Sequence, residues 1–311
     1  NEEEEGSMTI AETQLAAEQA SRAQVWSKAA SLWEQVYQAQ QTAPVNYELV
    51  QALVADQQYV AAANYASEFE AQYLATDAAA DLYLNALVAN HDFISAHIMI
   101  KARPTSAWTT AASTTLKAAE STAERTLGST LTTTMRHFYH LSDQPVQKQV
   151  AGLQAARHLP YEHYLTAAEF LLVDPFLHPL TRVEVLYTLY QLQVSETVKM
   201  QWLLDEKMLT LCPAKLVALG QDETSKDVYH AMKERLGNQD VFLYESLRDL
   251  LQLQLMYLYP CAAQVITDST AWIDLLISLQ TGQTITPSDD QTEKMMKIQQ
   301  KIQQFSLDLQ S

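Results

Sequence analysis

Residues 57–66 read Q-Q-Y-V-A-A-A-N-Y-A, and two other segments of the chain align with them. These segments are Q-V-W-S-K-A-A-S-L-W at 24–33 and H-D-F-I-S-A-H-I-M-I at 91–100. In each segment an aromatic residue is followed three positions later by an alanine. The pairs, spaced 33 and 34 residues apart, are Trp26 and Ala29, Tyr59 and Ala62, and Phe93 and Ala96. This period is typical of stacked helical hairpins, since one helix pair cannot bury its apolar face alone.

The segment before each aromatic also repeats, and its apolar positions predict the first helix of each hairpin. These positions align at Ala16, Leu49 and Tyr83, and again four residues later at Ala20, Leu53 and Leu87. Residues four apart share one face of a helix. We expect the aromatic to close the turn between two antiparallel helices, and the small alanine to let the helices approach closely.

The period and the aromatic-x-x-Ala pattern resemble the tetratricopeptide repeat (TPR), whose unit has about 34 residues. Two features depart from that repeat: Val50 and Leu84 stand where the first helix usually has a small residue, and the closing proline is missing. The resemblance implies a right-handed superhelix of helical hairpins over residues 8–142. An ordinary helical bundle with the same spacing is the alternative.

Composition favours a mostly helical fold, because six glycines and nine prolines are few for 311 residues and helix formers are abundant. No stretch of about 18 apolar residues lacks a polar interruption, so the sequence predicts no membrane span. Two cysteines, Cys212 and Cys261, are too few for a disulfide framework or a cysteine metal site. They are compatible with a reduced cytoplasm.

The acidic balance of the chain limits its partners. Residues 1–7 read N-E-E-E-E-G-S before Met8, and we interpret them as a remnant of recombinant expression. Without them the net charge changes from −17 to −13, from 33 acidic and 20 basic residues. This negative net charge argues against nucleic-acid binding, which needs basic residues on the surface. The polar, amphipathic segment after Met8 is unlike a signal peptide, so we predict a cytoplasmic protein.

Residues 143–311 are predicted to form a second helical region with one β-hairpin near 195–212. Val198, Met200 and Trp202 alternate with polar residues, residues 205–207 read D-E-K and can turn, and residues 208–211 return. The runs H-L-P-Y-E-H-Y at 158–164 and D-P-F-L-H-P at 174–179 resemble uncharacterised TPR-containing proteins of low-GC Gram-positive bacteria. That resemblance implies architecture only. The predicted fold class is therefore all-α, with TPR-like hairpins followed by further helices and one small hairpin.

Known catalytic motifs are missing from the sequence, including phosphate loops, G-x-S-x-G and H-E-x-x-H. His137 and His140 have helical spacing, but no cysteine or carboxylate completes a metal-binding pattern around them. Asp174 and His178 belong to one compact proline turn, where we expect a structural hydrogen bond between them. Cys212 has no neighbouring histidine or basic cluster to activate it. We predict no catalysis, no metal and no cofactor.

The first helix of each pair lines the concave groove in TPR proteins, so the resemblance assigns nine residues to a peptide-binding groove. They are Gln14, Glu18 and Ser21, then Tyr47, Gln51 and Val54, then Asp81, Asn85 and Val88. Side-chain amides can both donate and accept hydrogen bonds to a peptide backbone. These positions lack the Lys and Arg with which some TPR modules clamp a terminal carboxylate. The expected ligand is a neutral or basic segment or an amphipathic helix, rather than an acidic C-terminal tail.

The leading functional hypothesis is a protein–protein interaction adaptor or scaffold that binds a peptide or helix in this groove. One alternative is that the chain's own C-terminal helices fill the groove. A second is an enzyme or small-molecule binder in the C-terminal region, around Asp174 and His178. A third is self-association into a homo-oligomer through the acidic, apolar C-terminus.

Overall fold

A computed structural model describes residues 8–203, 207–237 and 241–309. These residues form sixteen α-helices and one antiparallel sheet of two strands, so the prediction of an all-α fold with a small β-hairpin is confirmed. The residues interpreted as an expression remnant, 1–7, lie outside the described residues. Two compact units make up the chain; within the described residues, unit 1 comprises 8–132 and 157–161, and unit 2 comprises 133–156 and the remainder from 162 onward.

Unit 1 is built from helical hairpins whose second helices begin at the three repeated aromatics. Its helices are α1 (Ile10–Arg22), α2 (Trp26–Ala39), α3 (Ala43–Ala55), α4 (Tyr59–Glu68), α5 (Glu70–Ala75), α6 (Asp77–Ala89), α7 (Phe93–Ala102) and α8 (Ala107–Thr126). The three repeated alanines, Ala29, Ala62 and Ala96, are each 0% exposed. The sequence periodicity therefore predicted the hairpins and the small residues at which their helices meet.

The same turn closes the first helix of all three hairpins. Its central residue has a left-handed backbone, with φ of 57° at Gln24, 62° at Gln57 and 55° at His91. The N–H of the next residue donates to the carbonyl five positions earlier, as in the 2.9 Å bond from Gln58 to Leu53. This is the Schellman pattern that satisfies orphan carbonyls at a helix end. Glycine usually occupies its left-handed position, and for that reason the sequence pattern did not predict the turn.

A break at Phe69 divides the second helix of the middle hairpin into α4 and α5. Asn46 of α3, which is 0% exposed, donates from its side-chain amide to the Tyr65 carbonyl over 2.8 Å. The Tyr73 hydroxyl of α5 donates to Asn46 Oδ1 over 2.7 Å. One asparagine thus joins α3 to the segments on both sides of the break.

Arg157 and the start of the H-L-P-Y-E-H-Y run bond to the third hairpin and to α8. The Ile94 N–H donates to the Arg157 carbonyl over 3.0 Å, and Arg157 Nη1 donates to Ser95 Oγ over 2.9 Å. Glu120 of α8 accepts from the Tyr161 N–H at 2.9 Å and contacts His97 Nε2 at 2.8 Å. These bonds explain why residues 157–161 belong to unit 1 although they follow residues of unit 2 in the chain.

Unit 2 contains the later helices and the hairpin. After α9 (Gly128–Tyr139), which begins in unit 1, come α10 (Val146–Ala156), α11 (Tyr161–Val173), α12 (Pro179–Gln191), β1 (Val198–Gln201), β2 (Met208–Leu211), α13 (Glu223–Leu236), α14 (Val241–Leu258), α15 (Ser269–Thr281) and α16 (Asp290–Asp308). Short 3₁₀ helices occur at Leu141–Asp143, Pro213–Lys215 and Ala262–Gln264.

The hairpin pairs Val198 with Leu211 and Gln201 with Met208, in the antiparallel sense that the alternating pattern predicted. Asp205 and Glu206, which were predicted to turn, lie outside the described residues. The Trp202 N–H extends the ladder by donating to the Lys207 carbonyl over 3.0 Å. Its indole N–H donates to the Tyr259 carbonyl over 3.2 Å, which fixes the hairpin against the end of α14.

The core of unit 2 is formed mainly by α13, α14, α15 and α16. Trp272, which is 0% exposed, lies among leucines and isoleucines of these helices. Asp289 begins α16 as an N-cap, accepting from the Thr292 N–H over 2.7 Å, and this bond lowers the pKa of its carboxyl. The described helices include none that combines the length and apolar character required to cross a membrane.

Candidate functional site

The first helices of unit 1 carry the predicted groove residues, and those of α1 line a cavity of about 530 Å³ that we call the α1/α3 cavity. Gln14, Glu18 and Ser21 form its α1 wall, and Glu48 lies on its α3 wall. Trp33 of α2 also lines the cavity and is 3% exposed; its indole N–H donates to Ser21 Oγ over 3.0 Å. Through this bond the buried Trp33 holds Ser21, and with it the polar α1 wall of the cavity, in position.

Two carboxylates give the α1/α3 cavity an acidic character. Burial raises the pKa of the half-buried Glu48, and the nearby charge of Glu18 raises it further. Glu18 accepts a hydrogen bond from Gln14 Nε2 at 3.4 Å and pairs with Arg22 at 3.4 Å. Arg22 lines the cavity but its side chain is 77% exposed. A cation entering the cavity would relieve the repulsion between the two carboxylates.

Sequence reasoning missed two charged residues of this cavity. Glu48 and Arg22 fall outside the three aligned positions of the first helices, so the TPR resemblance did not select them. Helical spacing from the predicted residues could have identified them: Arg22, for example, stands four positions after Glu18 and so shares its helix face. The expectation that the groove lacks basic residues holds for the nine predicted positions, whereas the cavity wall itself includes Arg22.

The middle set of predicted residues, Tyr47, Gln51 and Val54, is not among the residues lining the α1/α3 cavity. The half-buried Tyr47 ring stacks on Tyr73 of α5, with ring centroids 6.1 Å apart and an interplanar angle of 24°. Gln51 is exposed and Val54 is half-buried. Tyr47 therefore packs within the hairpin, and the rest of its half-buried side chain is open to solvent.

The third set of predicted residues lines a second cavity, of about 440 Å³, that we call the α6/α8 cavity. Asp81, Asn85 and Val88 come from α6, and Trp108 from α8. The Trp108 indole N–H donates to Asp81 Oδ1 over 2.7 Å, and the Arg103 guanidinium lies over the Trp108 ring at 4.2 Å. The sequence did not predict the contribution of α8 to this cavity, because α8 lies beyond the last aligned repeat.

The walls of the α6/α8 cavity are mostly apolar or small. Leu84 and Ala112 are both buried at 6% exposure, and Val88 is half-buried. Among the α6 residues that line this cavity, the exposed Asn85 has a side-chain amide with both donor and acceptor capacity. This arrangement suits an aliphatic side chain next to a peptide group.

Asp174 and His178, the residues of the alternative site, have separate structural partners in unit 2. The Asp174 carboxylate accepts from the Phe176 N–H over 2.9 Å. His178 is the N-cap of α12: its Nδ1 accepts from the Leu180 N–H over 3.3 Å, and its Nε2 lies 3.4 Å from the Phe305 carbonyl. This is the pattern of a neutral imidazole that carries its proton on Nε2. The interaction predicted between Asp174 and His178 is thus replaced by bonds to the backbone.

The other residues that the sequence singled out are dispersed. His137 and His140 are exposed, and His140 Nδ1 lies 3.1 Å from Asp143 Oδ2. The Cys212 thiol donates to the Ser195 carbonyl over 3.3 Å, and burial raises the pKa of Cys261. The described part of the chain contains no group of three or more His, Cys, Asp or Glu arranged to hold a metal ion.

Comparisons of this chain with protein-family models, with curated proteins and with solved structures found no match. The function is therefore inferred from the chemistry of the cavities. On the first helices of unit 1 that chemistry combines paired carboxylates, amides and apolar walls.

Proposed function

We propose that this protein is a cytoplasmic, TPR-like adaptor whose unit 1 binds a basic, extended segment of a partner protein. The observation that carries the proposal is the pair of cavities on the first-helix face, lined by six of the nine predicted groove residues: Gln14, Glu18, Ser21, Asp81, Asn85 and Val88. Each cavity contains at least one carboxylate. Catalysis is not part of the proposed function.

The α1/α3 cavity suits a lysine or arginine side chain of the partner. Glu18 and Glu48 would receive the charged end, while Val45 and Trp33 offer apolar surface to its methylene groups. The raised pKa of Glu48 reflects two carboxylates held close in a partly buried place. A cationic side chain is the ligand that this arrangement favours most.

The α6/α8 cavity suits an aliphatic side chain of the same partner segment. Leu84 and Val88 supply apolar contact, and the Asn85 amide can bond the peptide backbone. The Asp81 carboxylate already accepts from Trp108, so it contributes mainly negative potential. A partner segment with basic and aliphatic residues is therefore favoured over an acidic one.

The proposal is tested by fluorescence anisotropy of the full chain with three labelled peptide pools of equal length and hydrophobicity, one basic, one neutral and one acidic. We expect the basic pool to bind best and the acidic pool worst. The double variant Glu18→Gln with Glu48→Gln should weaken binding of the basic pool by about tenfold, since two favourable charge contacts of about 0.7 kcal/mol each are removed.

The matched control is Glu12→Gln with Glu70→Gln, which removes the same charge from exposed positions that do not line the cavities. Equal loss in both double variants would show a general charge effect and overturn the proposed site. Asn85→Ala is the cleaner test of the α6/α8 cavity, because Tyr47→Ala would also remove the stacking on Tyr73. If the acidic pool binds as well as the basic pool, the proposed ligand chemistry is wrong.

A further inference from the structure

A third cavity lies within unit 2 and has the opposite electrostatic character from those of unit 1. Its volume is about 430 Å³, and residues of α10, α12 and α16 and the end of β1 line it. Two of its lining residues, Arg182 and Lys301, are cationic, and the neutral His178 lines it as well, whereas its described lining includes no Asp or Glu. A cationic lining is unexpected in a chain with a net charge of −17.

Arg182 is the central feature of this cavity, because its charge is buried without a carboxylate partner. The residue is 4% exposed, and its guanidinium donates only to backbone carbonyls: Gln201 at 3.0 Å, Leu177 at 2.8 Å and Asp174 at 2.6 Å. Its Nε is buried and has no hydrogen-bond partner. A guanidinium has five N–H donors, so these three bonds leave donor capacity unused.

Burying a charge without a counter-charge is costly, and proteins usually pair such groups. Burial lowers the pKa of Arg182 to about 10, so the group is still charged at neutral pH. The charge of Asp174 acts against this lowering of the Arg182 pKa. The Asp174 carboxylate, however, accepts a hydrogen bond from the Phe176 N–H. The hydrogen bond from the guanidinium to Asp174 goes to its backbone carbonyl, which is a neutral group.

The surroundings of Arg182 add to the positive potential and provide an apolar wall. The cavity includes the first turn of α12, where the helix dipole favours an anion. Phe176 lines the same cavity and is 83% exposed, although it is a large aromatic side chain. A volume near 430 Å³ falls in the range of small-molecule sites.

We propose that this cavity binds a small organic anion, with its carboxylate or phosphate group near Arg182 and its apolar body against Phe176. The site is independent of the peptide function proposed for unit 1. Arginine is well suited to both kinds of oxyanion, since its planar donors match their geometry. The anion supplies the counter-charge that the buried guanidinium lacks.

The test uses isothermal titration calorimetry of the full chain with three probes at constant ionic strength: inorganic phosphate, phenyl phosphate and benzoate. We expect one of the two aromatic anions to bind at least tenfold more tightly than inorganic phosphate. A preference for phenyl phosphate assigns the site to phosphate esters, and a preference for benzoate assigns it to carboxylates. Absence of binding by both aromatic probes at 10 mM, a concentration chosen to detect dissociation constants of about 1 mM, would overturn the proposal.

Two variants separate this site from adventitious binding. Ser142→Phe places a large side chain on the cavity wall at a residue that takes no part in the carbonyl bonds of Arg182, and it should abolish binding. Lys301→Met should weaken binding by about fivefold, whereas Lys294→Met, an equal charge change at an exposed position of α16, should not. Equal weakening by both lysine variants, or undiminished binding in a folded Ser142→Phe protein, would contradict the assignment.

Discussion

Asn46 and Tyr73 share a buried hydrogen bond in unit 1, in which the Tyr73 hydroxyl donates to Asn46 Oδ1 over 2.7 Å. Both residues are 0% exposed. Burial holds the pKa of Tyr73 well above its usual range, so the hydroxyl remains a donor at all ordinary pH values. Because Asn46 also donates to the Tyr65 carbonyl, a single polar side chain fixes α3 to both α4 and α5.

Asn46→Ala should lower the free energy of unfolding by about 3 kcal/mol, because it removes the partner of the buried Tyr73 hydroxyl and of the part-buried Tyr65 carbonyl. Urea unfolding followed by far-ultraviolet circular dichroism measures the change. Asn64→Ala, at an exposed position of α4, is the matched control and should change stability by less than about 0.5 kcal/mol. Similar losses in the two variants would show that the buried bond contributes little.

Ala62→Leu should destabilise unit 1 by about 1–3 kcal/mol or more, because Ala62 is 0% exposed and the added carbons have no space between the helices. Ala71→Leu makes the same change at an exposed position of α5, where we expect little effect. Thermal unfolding of both variants measures the difference. If Ala62→Leu is as stable as the parent, the small residue is not required for the close approach of the hairpin helices.

The elements that the sequence predicted well are those with a repeated local signal. Trp26, Tyr59 and Phe93 begin the second helices because their spacing repeats and their neighbours have helical periodicity. The hairpin in unit 2 was predicted from the alternation of Val198 and Met200, which is unlike the rest of the chain. Such signals depend on side chains a few residues apart, so they can be interpreted without knowledge of the tertiary structure.

The elements that the sequence did not predict depend on tertiary contacts. The break at Phe69 has no glycine or proline; the Asn46 bonds to Tyr65 and Tyr73, which lie 19 and 27 residues away in the chain, flank it. Nothing in the sequence around Arg182 shows that its charge is buried among carbonyls from Asp174 to Gln201. Cavities are likewise shaped by residues from different helices, and their walls could be predicted only where the repeat supplied an alignment.

Gln57→Gly should raise the free energy of unfolding by up to about 1 kcal/mol. Gln57 has a φ of 62°, a conformation that costs a non-glycine residue about 1–2 kcal/mol, and the entropy of glycine in the unfolded chain offsets part of the gain. Ala55→Gly is the control, since Ala55 is the exposed last residue of α3 and glycine should destabilise it by about 0.5–1 kcal/mol. The prediction fails if Gln57→Gly and Ala55→Gly shift the urea midpoint in the same direction.

Glu48→Gln should raise the melting temperature at pH 7, and the gain should disappear near pH 4. Burial and the charge of Glu18 raise the pKa of Glu48 in the folded state. The folded protein therefore binds a proton at Glu48 more tightly than the unfolded chain, so this group opposes folding above its folded pKa and not below its unfolded pKa of about 4.3. Melting curves between pH 4 and pH 7 measure the effect.

Glu12→Gln provides a control of opposite sign, because hydrogen bonds from Thr9 lower the pKa of Glu12. That carboxylate stabilises the fold above its unfolded pKa, so its substitution should lower the melting temperature at pH 7 and have less effect as the pH falls.

A basic peptide bound in the α1/α3 cavity should in turn lower the pKa of Glu48, since it supplies the missing counter-charge. Binding should then release a proton and strengthen as the pH rises from 4 to about 6, and a pH-independent affinity would place the peptide elsewhere.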